Sequence, residues 1–345
     1  METATVTRLR ELGEFEALRQ LMHGRAGHPT VIVGPGDDAA VLRPAPGMDL
    51  VATTDAFVEG RHYLPQWLDP AARGARLAAA NLSDLAAMAA RPRWALLSVG
   101  ARADHEVEAL EALERGLEQA LQAEGAVVVG GNITATDGPE WLALTLLGEV
   151  ASGRAWTRRG ARPGDLIAAS GSPGRAGAGW RLATSLGDRP QAQARAEWPA
   201  LMDAWLHPRA CVALAQKLAA SGAVRAAIDI SDGLLGDLGH LCQASDVGAE
   251  IAAGAGAGDA LLARAAAQLG VTGFDLWGGP SDDYELLLAV DPAGRARCEQ
   301  AAGAAGATLE FIGQFTDACG VIARLDTDGT RRTLDPAGFD HFTRG

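Results

Sequence analysis

Short apolar runs that end in turns bearing oxygen side chains recur along this chain, and they constrain its fold most. Most of the stretches GPGDDAAVL, VATTDAFVEG, NLSDLAAMAA, VVVGGNITATDG, IDISDGLLGDLG and GGPSDDYELLLAV join an apolar run to a Gly, Ser or Thr turn carrying Asp, Asn or Glu. Between them lie segments of helical period. Glu14–Met22 places Phe15, Leu18, Leu21 and Met22 on one face, and Pro70–Ala90 is an Ala-rich helix. Asp104–Ala123 is amphipathic, with acids crowding its first turns as the helix dipole prefers. Strands are expected at Thr30–Val33, Ala39–Leu42, Leu50–Thr53, Trp94–Val99, Ala126–Val129 and Trp141–Val150.

The pattern then restarts. After a Gly/Arg-rich stretch around Ala151–Gly164 come a strand at Leu166–Ser170, a Gly-rich turn and a helix from Ala176. Helices follow at Pro199–Leu206 and Arg209–Ala220, separated by His207-Pro208, which would break a continuous helix. Strand Val224–Ile230 leads into a helix over SDGLLGDLGHLCQAS. Gly254–Gly270 reads as a loop plus helix, and later strands fall at Tyr284–Val290, Leu309–Ile312 and Gly320–Leu325. Alternation in both halves gives an α/β (α+β) class. A chain of 345 residues exceeds one ordinary core, so two domains are expected, 1–150 and 151–345.

The acidic turns need a counter-charge. Asp37 and Asp38 are adjacent, with no basic residue flanking them, and Asp229 and Asp232 stand three apart at a strand-to-helix junction. A single Asp in such a turn reads equally as a helix cap or an ordinary turn residue. The whole set exceeds what capping requires, and unneutralised carboxylates so placed would raise one another's pKa. Oxygen donors without clustered Cys or His select hard cations, Mg²⁺ above all, whose shell is usually completed by waters and substrate phosphate. A Mg²⁺-bridged nucleotide is the expected ligand.

Several classes are excluded. There is no GxxxxGK[ST], GxSxG or HExxH, and SGSPGRAGAGW lacks the GxGxxG pattern. A formal net charge of -13 without a basic stripe argues against nucleic acid. The four cysteines lie far apart and fit neither a zinc site nor a disulfide framework. METATVTRLRELGEF has no apolar signal core, and no apolar run reaches ~18 residues, so a cytoplasmic protein without a membrane span is expected.

GPGDDAAVL, TTDAFVEGRHY, NLSDLAAMAARP, GGNIT, TRRGARPGD, DISDGLLGDLGHL, DDYELLL and GFDHF, in that order, resemble the thiamine-monophosphate kinases. These belong to the ATP-binding superfamily related to aminoimidazole ribonucleotide synthetase. The resemblance runs from about Gly13 to Phe342. It implies an N-terminal sheet domain that binds ATP and Mg²⁺ and forms a homodimer, and a C-terminal α/β domain that completes the nucleotide and substrate site. It implies direct transfer of the ATP γ-phosphoryl group to thiamine monophosphate, with no phosphoenzyme.

Carried across by motif, Asp38, Thr53, Asp55, Asp84, Asn132, Asp229 and Asp232 match the Mg²⁺ shell. Thr53, Thr54, Gly131, Asn132, Arg158 and Ser231 match nucleotide contacts. Arg158 and Asp232 would serve catalysis, and a guanidinium suits phosphate because it forks two oxygens. His62, Asp282 and Phe339 match thiamine-phosphate contacts, although Phe339 alone reads equally as a plug at a core edge.

The sequence departs from the family in two places. Asn132 and Ile133 stand where GGDT has Asp and Thr, and GGEDYEL becomes GGPSDDYEL, with Asp282 in the Glu place. Those departures motivate two alternatives: a paralogue phosphorylating another phosphorylated metabolite, and a nucleotide-binding protein without turnover. Aminoimidazole ribonucleotide synthetase is a further alternative with the same fold. Selenophosphate synthetase needs an N-terminal Cys, and none precedes Cys211; the hydrogenase-maturation dehydratase needs a C-terminal Cys, and this chain ends HFTRG.

Overall fold

The computed structural model describes residues 7–21, 28–35, 37–185 and 191–335. The chain divides into two compact units, Met1–Leu85 with Ala90–Arg154, and Ala86–Ala89 with Ala155–Gly345.

In the first unit, α1 (Leu9–Leu12) and α2 (Glu14–Leu21) precede a small antiparallel pair, β1 (Val31–Val33) and β2 (Val41–Leu42). Then come β3 (Met48–Val58), α3 (Pro70–Ala87), β4 (Arg91–Ala101), α4 (Val107–Ala123), β5 (Val127–Ala135) and β6 (Trp141–Ala151). Four of these strands form one sheet in the order β3-β6-β4-β5, antiparallel except for the β4–β5 pair. Strand alternation sorts its two faces. Leu142, Leu144 and Leu146 of β6 are fully buried on one, while Ala52, Thr54 and Ala56 of β3 are exposed on the other.

Helices α3 and α4 touch backbone to backbone. A Cβ at Gly74 would stand 2.0 Å from the Leu113 carbonyl oxygen, and one at Gly116 would stand 2.0 Å from that of Ala71. Glycine in mid-helix costs about 1 kcal/mol in propensity. Here it permits an approach that no other residue fits.

The second unit opens with β7 (Leu166–Ser170), α5 (Arg175–Ser185), α6 (Gln191–Glu197), α7 (Pro199–Leu206) and α8 (Val212–Ser221). Next are β8 (Val224–Ile230), α9 (Leu234–Ser245), β9 (Gly248–Ile251), α10 (Ala260–Leu269) and α11 (Gly273–Gly278). It closes with β10 (Glu285–Val290), α12 (Arg295–Ala304), β11 (Leu309–Thr316), β12 (Ile322–Leu325) and β13 (Arg331–Thr333). Its seven-stranded sheet runs β13-β12-β9-β11-β7-β10-β8, antiparallel except for β12–β9. The fold is mixed α/β, with helices beside a mainly antiparallel sheet in each unit. Strand β10, between β7 and the edge strand β8, is buried from Leu286 to Val290.

The structure differs from the sequence expectation in extent. Strand β3 runs from Met48 to Val58, well beyond Leu50–Thr53. Helix α8 starts at Val212, since Pro208 and its neighbours stay outside it. Among the described residues no helix is long and apolar enough to cross a membrane.

Candidate functional site

In the first unit β3 and α3 bring three of the expected residues together. Thr53 and Asp55 alternate onto the helix-covered face of β3, and the Thr53 hydroxyl donates to Asp84 Oδ2 on α3. Burial and the Asp84 charge push the Asp55 carboxyl up to about 6. Two carboxylates crowded in this way want a cation.

Thr54 and Asn132 face away from that cluster. Thr54 points to the open face, where Thr145 Oγ1 donates to its hydroxyl at 3.3 Å. Asn132, opposite Ser98 in the register, is exposed on that same face, while Ile133 alternates inward. Gly131 has no room for a side chain, since a Cβ would stand 1.9 Å from the Leu97 carbonyl oxygen. Asp38 lies in the exposed turn between β1 and β2, its N–H donating to Asp37 Oδ1 at 3.0 Å.

His62 is half-buried and stacked on Phe57, with ring centroids 5.5 Å apart. The Val58 N–H donates to its Nδ1 at 3.1 Å, which leaves Nε2 as the proton-bearing nitrogen of the neutral ring. Buried Glu140 secures its loop. It accepts from Tyr63 Oη at 2.6 Å, pairs with Arg73 at 3.2 Å and His105 at 3.3 Å, and receives the Glu59 N–H on its backbone oxygen at 2.9 Å.

In the second unit three loops meet. Asp229 is buried near the end of β8, and Ser231, Asp232 and Gly233 turn the chain into α9. Gly233 adopts φ 110°, and a Cβ there would stand 2.2 Å from the Gly279 carbonyl oxygen, so this turn abuts the GGPSDD loop. Asp237 holds the turn from inside. Its Oδ2 accepts from the N–H groups of Ser231 and Asp232, both at 3.1 Å. Burial pushes its carboxyl up to about 7; the Asp232 charge adds to the rise and the Arg158 charge opposes it. Arg158 therefore lies within electrostatic reach of Asp237, the acid that holds this turn. Its own loop is pinned by Ser245, whose hydroxyl donates to the Arg158 carbonyl at 2.9 Å and accepts from Gly160 at 3.1 Å and Ala161 at 3.2 Å.

Around Asp282 the neighbours do the anchoring. Ser281 Oγ accepts the Gly177 N–H at 2.8 Å, and Asp283 accepts those of Gly174 at 2.6 Å and Ala176 at 3.0 Å. These are the first amides of α5, so the protein's own acid fills the Gly-rich SGSPGRAGAGW turn. Burial pushes the Asp283 carboxyl up to about 7 despite those bonds. Tyr284 follows at φ 55°, a conformation rare for a bulky side chain. Glu285 then accepts from Ser170 Oγ, and from Cys211 Sγ at 3.1 Å.

Asp283 and Glu285 stand in the sequence among the acids of the GGPSDDYELLLAV turn, without a family role, whereas Asp237 carries no signal of its own. Asp237 is the third acid of DISDGLLGDLG, after Asp229 and Asp232. Phe339 lies outside the described residues. Among the described residues no group of three or more His, Cys, Asp or Glu side chains is arranged to hold a metal alone. The donor set is nonetheless of the kind Mg²⁺ takes: carboxylate and hydroxyl oxygens, few enough that waters and phosphate must complete the shell.

Residues 36–150 match the N-terminal domain of the AIR synthase related proteins, and residues 162–326 match their C-terminal domain. The chain is 35% identical over 331 residues to the thiamine-monophosphate kinase of Escherichia coli (strain K12), covering 96% of this chain and 98% of that one. It is 35% identical over 322 residues to the thiamine-monophosphate kinase of Caulobacter vibrioides, covering 90% and 86%. The solved thiamine-monophosphate kinase from Stenotrophomonas maltophilia K279a superposes with a TM-score of 0.77 at 31% identity, over 90% of this chain and 94% of that one. AaThiL complexed with AMPPCP and TMP superposes at 0.73 and 27% identity, over 98% and 100%.

Proposed function

The chain belongs to the AIR synthase related proteins and, among them, to the thiamine-monophosphate kinase family, and on that premise we infer that it phosphorylates thiamine monophosphate with ATP. The carrying observation is similarity at 35% identity that runs through 96% of the chain.

An oxygen of the acceptor phosphate attacks Pγ of ATP. The bond from Pγ to the β,γ-bridging oxygen breaks, and its electron pair leaves with ADP. Thiamine diphosphate is the other product. The acceptor is already an anion, so no side-chain base is required. Positioning and charge compensation supply the rate.

The residues divide by unit. In the first, Asp55 and Asp84 would ligate Mg²⁺, with Thr53 orienting Asp84; Asp38 is a further oxygen donor and Gly131 a backbone contact for the nucleotide. In the second, Asp229 and Asp232 would ligate Mg²⁺, Ser231 would contact the nucleotide, and Arg158 would fork the phosphate oxygens. Bound Mg²⁺ supplies positive charge against the phosphate oxygens. His62, through Nε2–H, and Asp282 would contact thiamine monophosphate. Thr54 and Asn132 face the open side of the first sheet, which supports a role at a homodimer interface more than in the metal shell. We place the protein in the cytoplasm.

The test is ADP release coupled to detection of thiamine diphosphate, with Mg²⁺, ATP and thiamine monophosphate. Stoichiometric ADP and thiamine diphosphate are expected. ADP formed only with another phosphate ester would favour the paralogue. ATP binding with no ADP from any acceptor would favour a protein without turnover.

A further inference from the structure

Asn81, in the NLSD stretch of α3, is fully buried, and half of its amide is unsatisfied. Its Nδ2 donates to the Leu77 carbonyl at 3.0 Å. A carbonyl only accepts, so this bond fixes which end of the amide is which. The other end, Oδ1, finds no donor among the described residues. A buried oxygen in that state is costly, and a bound water or ion is one way in which native proteins satisfy it.

Three residues further on, the same helical face carries Asp84, which takes the Thr53 hydroxyl and lies beside Asp55. Helix α3 thus carries an acceptor without a donor three residues from Asp84, which with Asp55 on β3 makes a pair of carboxylates that want a cation. Mg²⁺ keeps several of its waters, and a water polarised by a divalent ion is a strong, directional donor.

We propose that Asn81 Oδ1 accepts a hydrogen bond from a water bound to the divalent cation of the Asp55–Asp84 site, and so positions that cation's hydration shell. The assignment rests on Asp55 and Asp84 holding the cation. An amide suits the place better than a third acid, because it accepts without adding negative charge beside those two. Partners of this kind in an outer shell commonly change metal affinity 10- to 100-fold.

The test is Mn²⁺ binding to the full chain with AMPPCP present, read from the electron paramagnetic resonance of free Mn²⁺, together with melting temperatures with and without Mn²⁺. Asn81→Leu, which removes the acceptor at similar volume, should weaken Mn²⁺ about tenfold and shrink the cation-induced rise in melting temperature. The metal-free melting temperature should hold or rise, because the orphaned oxygen is gone. Asn81→Ala reads the same affinity without added apolar bulk, and Asn81→Asp, which keeps an acceptor, should retain binding. Unchanged Mn²⁺ affinity in both Asn81→Leu and Asn81→Ala would overturn the proposal. So would a lower metal-free melting temperature with the cation shift intact, the signature of a purely structural asparagine. Asp84→Asn separates the two layers. If it binds Mn²⁺ like the wild type, the cation site falls and the Asn81 assignment with it. If Asp84→Asn loses Mn²⁺ and Asn81→Leu does not, only the Asn81 assignment falls.

Discussion

At the scale of single residues, the acids of this chain do two different jobs that one sequence pattern conceals. Asp232 and Asp55 stand in the turn and on the strand where the family reading places the metal, whereas Asp237 and Asp283 point inward and hold backbone amides. Asp232→Ala should therefore lower Mg²⁺-dependent turnover by about 10²-fold or more, on the order of losing one strong transition-state contact. Its far-ultraviolet circular dichroism should stay that of the wild type, because the turn's anchoring acceptor belongs to Asp237; turnover at the wild-type rate would remove Asp232 from the site. Asp283 makes a stability prediction instead. Its folded pKa of about 7 lies above the 3.8 of an unperturbed Asp, so between about pH 4 and 7 the folded state holds a proton that the unfolded state has released. That contribution is fully present below about pH 4 and lost as pH rises through 7. Asp283→Asn should flatten this part of the profile, so urea midpoints measured at pH 5 and pH 7.5 should fall less with rising pH in the variant than in the wild type. The sequence displays all four acids alike. In the second unit, the chain turns next to these acids at Gly233, φ 110°, and Tyr284, φ 55°, conformations that no local pattern announces.

At the scale of elements, the strong periodicities were legible and the weak ones were not. Helices over Pro70–Ala87 and Val107–Ala123 and the strand at Trp141–Ala151 follow from apolar spacing. The strand pattern ends at Thr53 because Thr54 and Asp55 look like a turn; with one face open and the other turned to Asp84, polar residues extend β3 at little cost. Strand β13 (Arg331–Thr333) and helix α12 (Arg295–Ala304) have no apolar stripe, and β9 (Gly248–Ile251) is too short to declare itself. The places of the two strands are set by sheet pairing, β13 on β12 and β9 between β11 and β12. The α3–α4 contact gives a prediction at this scale. By propensity alone Gly116→Ala would stabilise α4 by about 1 kcal/mol. The added Cβ would stand 2.0 Å from a backbone oxygen of α3, and overpacking of that kind costs about 1–3 kcal/mol or more. The clash wins, so the urea midpoint should fall; a rise would mean that the helices part without loss.

At the scale of the whole molecule, a chain of net charge -13 that takes ATP must bring cations with it, and it must also cover an apolar surface. The open face of the first sheet carries Leu50 at 54% exposure and Leu96 at 37%, with Ala52, Thr54 and Ala56 around them. In register, Thr54, Thr145 and Leu96 form one row across that face. Such a surface buries itself most simply against a copy of itself, since a two-fold axis presents the same patch to both partners. Leu96 lies at the middle of β4, so Leu96→Glu would place a charge within an interface that a neutral side chain fills. The expected result by sedimentation velocity is a shift from dimer to single-chain mass, at unchanged helix and strand content. If the wild type already sediments as one chain, or if Leu96→Glu sediments as a dimer, this face is not where two copies meet, and the exposed Leu50 and Leu96 need another explanation.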